Sequence, residues 1–442
     1  MTEKHGGSSA DLILVPQWLI PIEPSATVLR DHALAIRDGR IVGIFPDSEL
    51  PSWSARSIKH LPGQVVLPGL VNSHGHAAMS LLRGYADDLP LMPWLEEHIW
   101  PAEQSWVSEQ FVRDGSALAM AEMVQRGTTT FTDMYFFPGV VGGLCLETGL
   151  RAQLAAPIFD FPSAYGSGAD DYISKALALR DTYKNTPLVQ VAFGPHAPYT
   201  VSHPNLEKIA TFAAELDMPV HIHLHETAAE VLQAVEAHGE RPLDTLHQIG
   251  LLGPRTQCVH MTDLGDQDIQ TLATTSAHVV HCPHSNMKLA SGTCPTEKLV
   301  AAGVNVALGT DGAASNNSLN LFGEMRSAAF LAKLSTGDPA AMPAERVLHM
   351  ATLGGAEALG MDAEIGSLRI GKQADIIAVD LSGPGTQPVH NPISQLVYAT
   401  TGAEVTHSWV AGKPLLEDRR LLTIDLPDCL ARAEHWAAKI RS

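Results

Sequence analysis

Between about Val65 and Gly360 the chain repeats one unit, a short apolar run and then a helix with its own stop signal. "FVRDGSALAMAEMVQRG" reads as a helix stopped at Gly127, followed by the strand "TTTFTDM". "LEKIATFAAELDM" reads as a helix ended near Pro219 that leads into the strand "VHIHLHE", and "KLVAAG" then "VNVALGTD" repeats the pattern. Serial units of this kind imply a parallel sheet, either closed as a barrel or open and doubly wound. No G-x-G-x-x-G fingerprint opens any of them, which favours the barrel. In a barrel, chemistry collects at the C-terminal ends of the strands.

The two ends of the chain differ from its middle. "HALAIRDGRIVGIF" is a pair of apolar-alternating runs joined by Asp38-Gly39, a dipeptide that supplies the positive φ of a tight hairpin. "IGSLRIGKQADIIAVDL" and "THSWVAGKPLLEDRRLL" read as strands separated by Gly-containing turns, and "CLARAEHWAAKI" has helical spacing and composition. A chain of 442 residues has room for a barrel and a companion. The expectation is an α/β protein with a distorted TIM (β/α)8 barrel over residues 67–364. Residues 1–66 and 365–442 would pair as a small discontinuous β-sandwich, with a terminal helix.

Composition narrows the partners. The net charge of −19, from 29 basic and 48 acidic side chains, opposes a phosphate-backbone partner. Cys145, Cys258, Cys282, Cys294 and Cys429 are odd in number, scattered and without a C-x-x-C pair, which argues for a reducing compartment and against a thiolate metal site. The opening "MTEKHGGSSADLILV" does not make a signal peptide, and no stretch approaches the roughly 18 apolar residues of a membrane helix. A cytoplasmic protein that meets neither nucleic acid nor membrane is expected.

Within the barrel region, "LVNSHGHAAM" places His74 and His76 two apart after an apolar run. In a strand, residues two apart point the same way, so both imidazoles can face one ion; alone, the pair reads more readily as hydrogen-bonded loop histidines. "PVHIHLHETAAE" puts His221, His223 and His225 on one strand face. Three in a row cannot all reach one ion: His221 lies a layer deeper and His225 a step beyond the rim, which leaves His223. "GVNVALGTDGAASNNS" ends a strand at Asp311, followed by Gly and Ala residues that permit close approach; alone, Asp311 is also a plausible helix cap. Three neutral imidazoles and one carboxylate suit Zn²⁺, and the ligand types also admit iron. Such an ion makes a hydroxide nucleophile available at neutral pH, and Glu226, three residues after His223, is the carboxylate placed to move protons.

Taken together, "NSHGH", "GPHAPY", "HIHLHET", "HCPHSNMKL" and "GTDGAASNNSLNL" resemble the amidohydrolase superfamily, most closely its 5′-methylthioadenosine/S-adenosylhomocysteine deaminases and their chlorohydrolase-type relatives. The resemblance spans nearly the whole chain. It implies one metal per subunit held by His74, His76, His223 and Asp311, with Asp311 also taking up a proton and Glu226 as proton shuttle. It further implies that Glu103 and His196 contact substrate and that His281 and His260 steady developing charge. "LVQVAFGPHAPY" has no lysine to bridge a second metal, since Lys184 comes too early. Where many relatives carry a second histidine, this chain has Gln257, so either Gln257 fills that role or His260 swings inward at the strand end. "FDFPSAYGSGADDY" lacks the arginine some members use for the amino-acid tail of S-adenosylhomocysteine. Leu89, Met92 and Trp94, in the long segment after the histidine pair, are candidate lid residues or packing residues.

The function implied is hydrolytic deamination of a purine nucleoside, 5′-methylthioadenosine first, then S-adenosylhomocysteine or adenosine, in a homo-oligomer. The alternatives are the same machinery acting on a free base, pterin or chloro-triazine, and a non-catalytic metal-binding scaffold.

Overall fold

The computed structural model describes residues 8–25 and 27–441; Met1–Gly7, part of the opening on which the signal-peptide reading rests, lie outside the described residues. Eight parallel strands pair in chain order. They are β1 (Leu70–Asn72), β2 (Thr128–Asp133), β3 (Arg151–Ile158), β4 (Val189–Pro195), β5 (Val220–Leu224), β6 (Thr256–His260), β7 (His278–His281) and β8 (Val306–Leu308). Nearly every residue of these strands is buried, as expected for a parallel sheet covered on both faces. The ring is drawn together between β8 and β1, where Ser73 N donates to Leu308 O at 2.9 Å and Asp311 N to His74 O at 3.1 Å.

The crossover helices start and stop where local chemistry permits. Ser108 caps Glu109–Gln125 by accepting from Phe111 N, and Gly127 follows at φ 80°. His203–Leu216 ends at Asp217 in the left-handed region, two residues before the Pro219 expected to stop it.

The chain ends build a nine-stranded mixed sheet. Strand Ser8–Leu19 pairs in parallel with Trp53–Pro68, and the latter pairs antiparallel with Ile376–Asp380 from the far end. The sheet folds back on itself, with Ile41 N donating to Lys372 O at 2.9 Å and Ala374 N to Gly39 O at 2.8 Å. The enclosed core joins Leu34, Ile36 and Ile41 to Ile376, Ala378 and Trp409. Asp38 and Gly39 form the expected hairpin turn, both at positive φ. One strand expected from sequence is missing: of "IGSLRIGKQADIIAVDL", only Ile376–Asp380 is extended. Gly366 at φ 87° and Gly371 at φ 98° turn the chain in place of a strand.

Among the contacts that tie the layers together, two are side-chain anchors. Arg151, opening β3, forms a buried fork with Asp375, Nε to Oδ2 at 2.8 Å and Nη2 to Oδ1 at 3.1 Å. The terminal helix Leu426–Arg441 docks on Glu109–Gln125: Trp436 meets Phe111 edge-on at 5.2 Å and donates Nε1–H to Asp114 at 2.9 Å. Among the described residues, no helix is long and apolar enough to cross a membrane.

Candidate active site

The C-terminal ends of β1, β5 and β8 bring four side chains together around His74. His74 and His76 follow β1, His223 lies in β5, and Asp311 follows β8. Asp311 Oδ1 stands 3.3 Å from His74 Nε2 and 3.2 Å from His76 Nε2, and His223 Nε2 is 3.2 Å from His74 Nε2. Ligand atoms about 2.0–2.1 Å from a tetrahedral ion stand about 3.3 Å from one another, so these separations match such a shell. The other ring nitrogen of each histidine is already engaged. His76 Nδ1–H donates to Met134 O at 2.6 Å and His223 Nδ1–H to His196 O at 2.7 Å, while His74 Nδ1 meets His221 Nε2 at 2.7 Å. His74, His76 and Asp311 form one group whose ligand atoms all lie within 4.8 Å of one another, and His74, His223 and His260 form a second that shares His74; together they make a donor set that fits a divalent metal ion.

Packing sets this approach. A Cβ on Gly309 would sit 2.8 Å from His74 Cβ and 2.9 Å from His74 N, so only glycine lets the end of β8 pass so close to His74. Asp311, at φ 61°, is aimed by its neighbours: Ser285 and Ser315 donate to Oδ2 at 2.6 and 2.8 Å, and Gly312 N donates to Oδ1 at 2.8 Å.

Glu226 sits two residues beyond β5, 6% exposed, with Oε2 3.7 Å from His260 Nε2 and Oε1 3.5 Å from Ser291 Oγ. Burial, then the nearby Asp311 charge, pushes its carboxyl well above the ordinary value, which suits a group that must hold a proton and release it.

The remaining sequence candidates sort by position. His260 does swing inward: at φ 76° it leaves the straight strand path and stacks on His223, ring centres 5.5 Å apart at 17°. Asn286 donates to its Nδ1 at 3.0 Å, which leaves the Nε2–H facing Glu226. Gln257 is buried one layer below, where its Oε1 accepts from His221 Nδ1 at 2.6 Å. His221 is therefore the deep histidine expected, and His225, bonded to Asp263 O and Leu243 N, is turned away beyond the rim. His281 is buried but does not reach the cavity wall, and its Nδ1 has no hydrogen-bond partner among the described residues.

A cavity of about 670 Å³ opens over this cluster, a size suited to a small organic molecule. His76, His223, Glu226, His260 and Asp311 form its polar end, and Trp94, Tyr135, Phe136, Phe159 and Tyr199 supply aromatic wall. Glu103 and His196 both line it. Burial pushes the Glu103 carboxyl up to about 7, against the opposing pull of the Tyr135 hydroxyl and His76. His196 stacks near Phe159, with centroids 5.0 Å apart, and its Nδ1 meets Thr200 Oγ1 at 3.1 Å. No lysine or arginine lines the cavity among the described residues. Of the three lid candidates, Trp94 lines the cavity, whereas Leu89 and Met92 pack against the main core.

Sequence reasoning missed Ser285, Asn286, Ser315 and Tyr135. The first two lie inside "HCPHSNMKL", where a Ser-Asn pair at the start of a short helix was the available signal.

A profile of the amidohydrolase family matches residues 65–415. The chain is 51% identical over 434 residues to a 5-methylthioadenosine/S-adenosylhomocysteine deaminase of Teredinibacter turnerae, with 98% of each chain covered. A zinc-bound adenosine deaminase from Xanthomonas campestris superposes with a TM-score of 0.97 at 47% identity, covering 98% of this chain and 99% of that one. An atrazine chlorohydrolase from Arthrobacter aurescens, at 23% identity and a TM-score of 0.90 over 96% of this chain and 100% of that one, shares the fold.

Proposed function

Because the chain belongs to the amidohydrolase family, we propose that it is a hydrolytic deaminase of adenine nucleosides, with 5′-methylthioadenosine as its preferred substrate. The observation that carries this reading is the pairing of two carboxylates, the buried Glu226 and the half-buried Glu103, in one aromatic cavity. Glu226 stands beside the histidine–aspartate cluster, and Glu103 lines the wall with His196. A free base or triazine has no use for the second carboxylate; a ribose has two hydroxyls to give it.

One Zn²⁺ per subunit would be held by His74, His76, His223 and Asp311, and when bound it supplies an activated water as the nucleophile. Around that water the chain's own groups divide the proton traffic. Asp311 takes up the water's proton, Glu226 delivers its own proton to N1 of the adenine ring, and the ionised Glu226 then relays the proton held on Asp311 to the amino group as its bond to C6 breaks and ammonia leaves. His260 holds its N–H toward the same corner. Glu103 accepts from the ribose hydroxyls, and His196 packs beside them.

The 5′ substituent meets a wall without cations. A methylthio group suits it, whereas the amino-acid tail of S-adenosylhomocysteine must lose the solvation of its carboxylate with no basic side chain in return. Buried, unpaired thiols at all five cysteines support placing this enzyme in the cytoplasm. A homo-oligomer is part of the same proposal.

The test is ammonia release by zinc-loaded protein from 5′-methylthioadenosine, S-adenosylhomocysteine, adenosine and guanine. Fast release from the first and slow release from the second is expected. Release from guanine alone, or from none, overturns the substrate assignment.

A further inference from the structure

His74, His76 and His223 offer Nε2 to the same centre, but their tautomers are set in different ways. His76 and His223 each donate Nδ1–H to a main-chain carbonyl, Met134 O and His196 O. A carbonyl only accepts, so both rings are committed to a free Nε2. His74 has no such carbonyl. Its Nδ1 meets another ring nitrogen, His221 Nε2 at 2.7 Å, and either atom there can be the donor.

The question then passes down one link. His221 Nδ1 meets Gln257 Oε1 at 2.6 Å. His74, His221 and Gln257 are all wholly buried, and His221 has no ion-pair partner among the described residues, so each ring carries one N–H. A chain of two neutral rings and an amide runs in one of two directions. If the amide oxygen accepts, His221 carries its proton on Nδ1, its Nε2 accepts from His74 Nδ1–H, and His74 Nε2 is a free lone pair. If the amide nitrogen donates, every bond reverses and His74 puts an N–H where a ligand atom is needed. Gln257 Nε2 has no hydrogen-bond partner among the described residues, and it is the amide oxygen that stands 2.6 Å from His221 Nδ1.

We propose that Gln257 is a positioning residue that selects the metal-competent tautomer of His74 from two hydrogen bonds away, by presenting its amide oxygen to His221. This rests on His74 being a metal ligand. It also resolves the either-or posed by the sequence: His260 enters the cavity and Gln257 works beneath the ligand shell.

The test uses the full-length protein stripped of metal, with Gln257→Met and Gln257→Glu. Methionine keeps the volume and removes the acceptor; glutamate keeps the acceptor and removes the donor. Two readouts are taken, the zinc dissociation constant by chelator competition and the ¹⁵N shifts of the histidine rings. Q257M is expected to weaken zinc binding about 10–100-fold, the usual cost of losing an outer partner of a ligand, and to shift one ring from the Nδ1–H pattern toward a mixture. Q257E is expected to bind zinc at least as tightly as the parent and to keep the Nδ1–H pattern.

Equal affinity and unchanged ring shifts in Q257M overturn the proposal while leaving the metal site intact. So does Q257E binding as weakly as Q257M, because the acceptor then plays no part. If the parent itself fails to hold zinc, the metal assignment falls and this inference falls with it.

Discussion

One backbone torsion decides what His260 does. A straight β6 would point it away from His223, and φ 76° instead brings it onto the His223 ring. Such a conformation costs a non-glycine residue about 1–3 kcal/mol and persists where surrounding contacts impose it, here the Asn286 bond and the His223 stack. Period-two alternation thus describes His223 inside β5, whereas His74 and His76 lie past the end of β1 and His260 turns out of β6, so their directions depend on loop torsions that alternation does not give. Ser285 and Ser315 were invisible for a related reason: they come from two separate short helices and meet only at Asp311. Two predictions belong at this scale. Glu226→Gln should retain zinc and lose at least 10²–10⁴-fold in turnover, measured as ammonia release with metal content checked in parallel; near-normal turnover would remove Glu226 from the proton path. Glu103→Ala should raise KM for nucleosides by about tenfold or more, the effect of losing a charged hydrogen-bond partner, and unchanged nucleoside kinetics would argue for a base-only substrate.

Among the elements, those with a strong period and a clear stop were legible in the sequence, such as Glu109–Gln125 with Gly127 behind it. The segment carrying Trp94 was legible only as a long apolar stretch. It folds as a helical run whose middle, Trp94–Ile99, widens to i+5 hydrogen bonding, as in Trp100 N to Leu95 O. That widening decides which side chains face the cavity, and no residue pattern announced it. The terminal helix makes a testable element of its own. Burial raises the Asp114 carboxyl, but bonds from Trp436, Gln110 and Arg432 outweigh it and hold the group below its ordinary value. A carboxylate depressed in the folded state contributes stability above its unfolded pKa of about 4 and loses that contribution as pH falls through the folded value. The helix should thus stay docked near neutrality and loosen below about pH 4, seen as faster amide exchange over residues 426–441 and a change in Trp436 fluorescence. Asp114→Asn should flatten that pH dependence.

Across the whole molecule, barrel and sheet are joined by the Arg151–Asp375 fork, with Asp375 also accepting from Ala411 N at 2.7 Å. Removing one partner strands a buried charge, so Arg151→Met should cost about 3–5 kcal/mol in denaturant unfolding, whereas replacing both partners with apolar residues should cost much less. Additive losses would show that the fork is not a coupled pair. The sheet also has a consequence in time. Leu67 finds its partner Ile377 only when about 300 further residues have been made, which at about 5–20 residues per second is roughly 15–60 s. The first of the proposed ligands, His74 and His76, wait for more than about 200 residues before Asp311 is made. During that interval the nascent chain carries an open strand edge and an unfinished histidine–aspartate cluster, so the enzyme's first exposure to aggregation and to stray metals comes on the ribosome, before it has a substrate pocket at all.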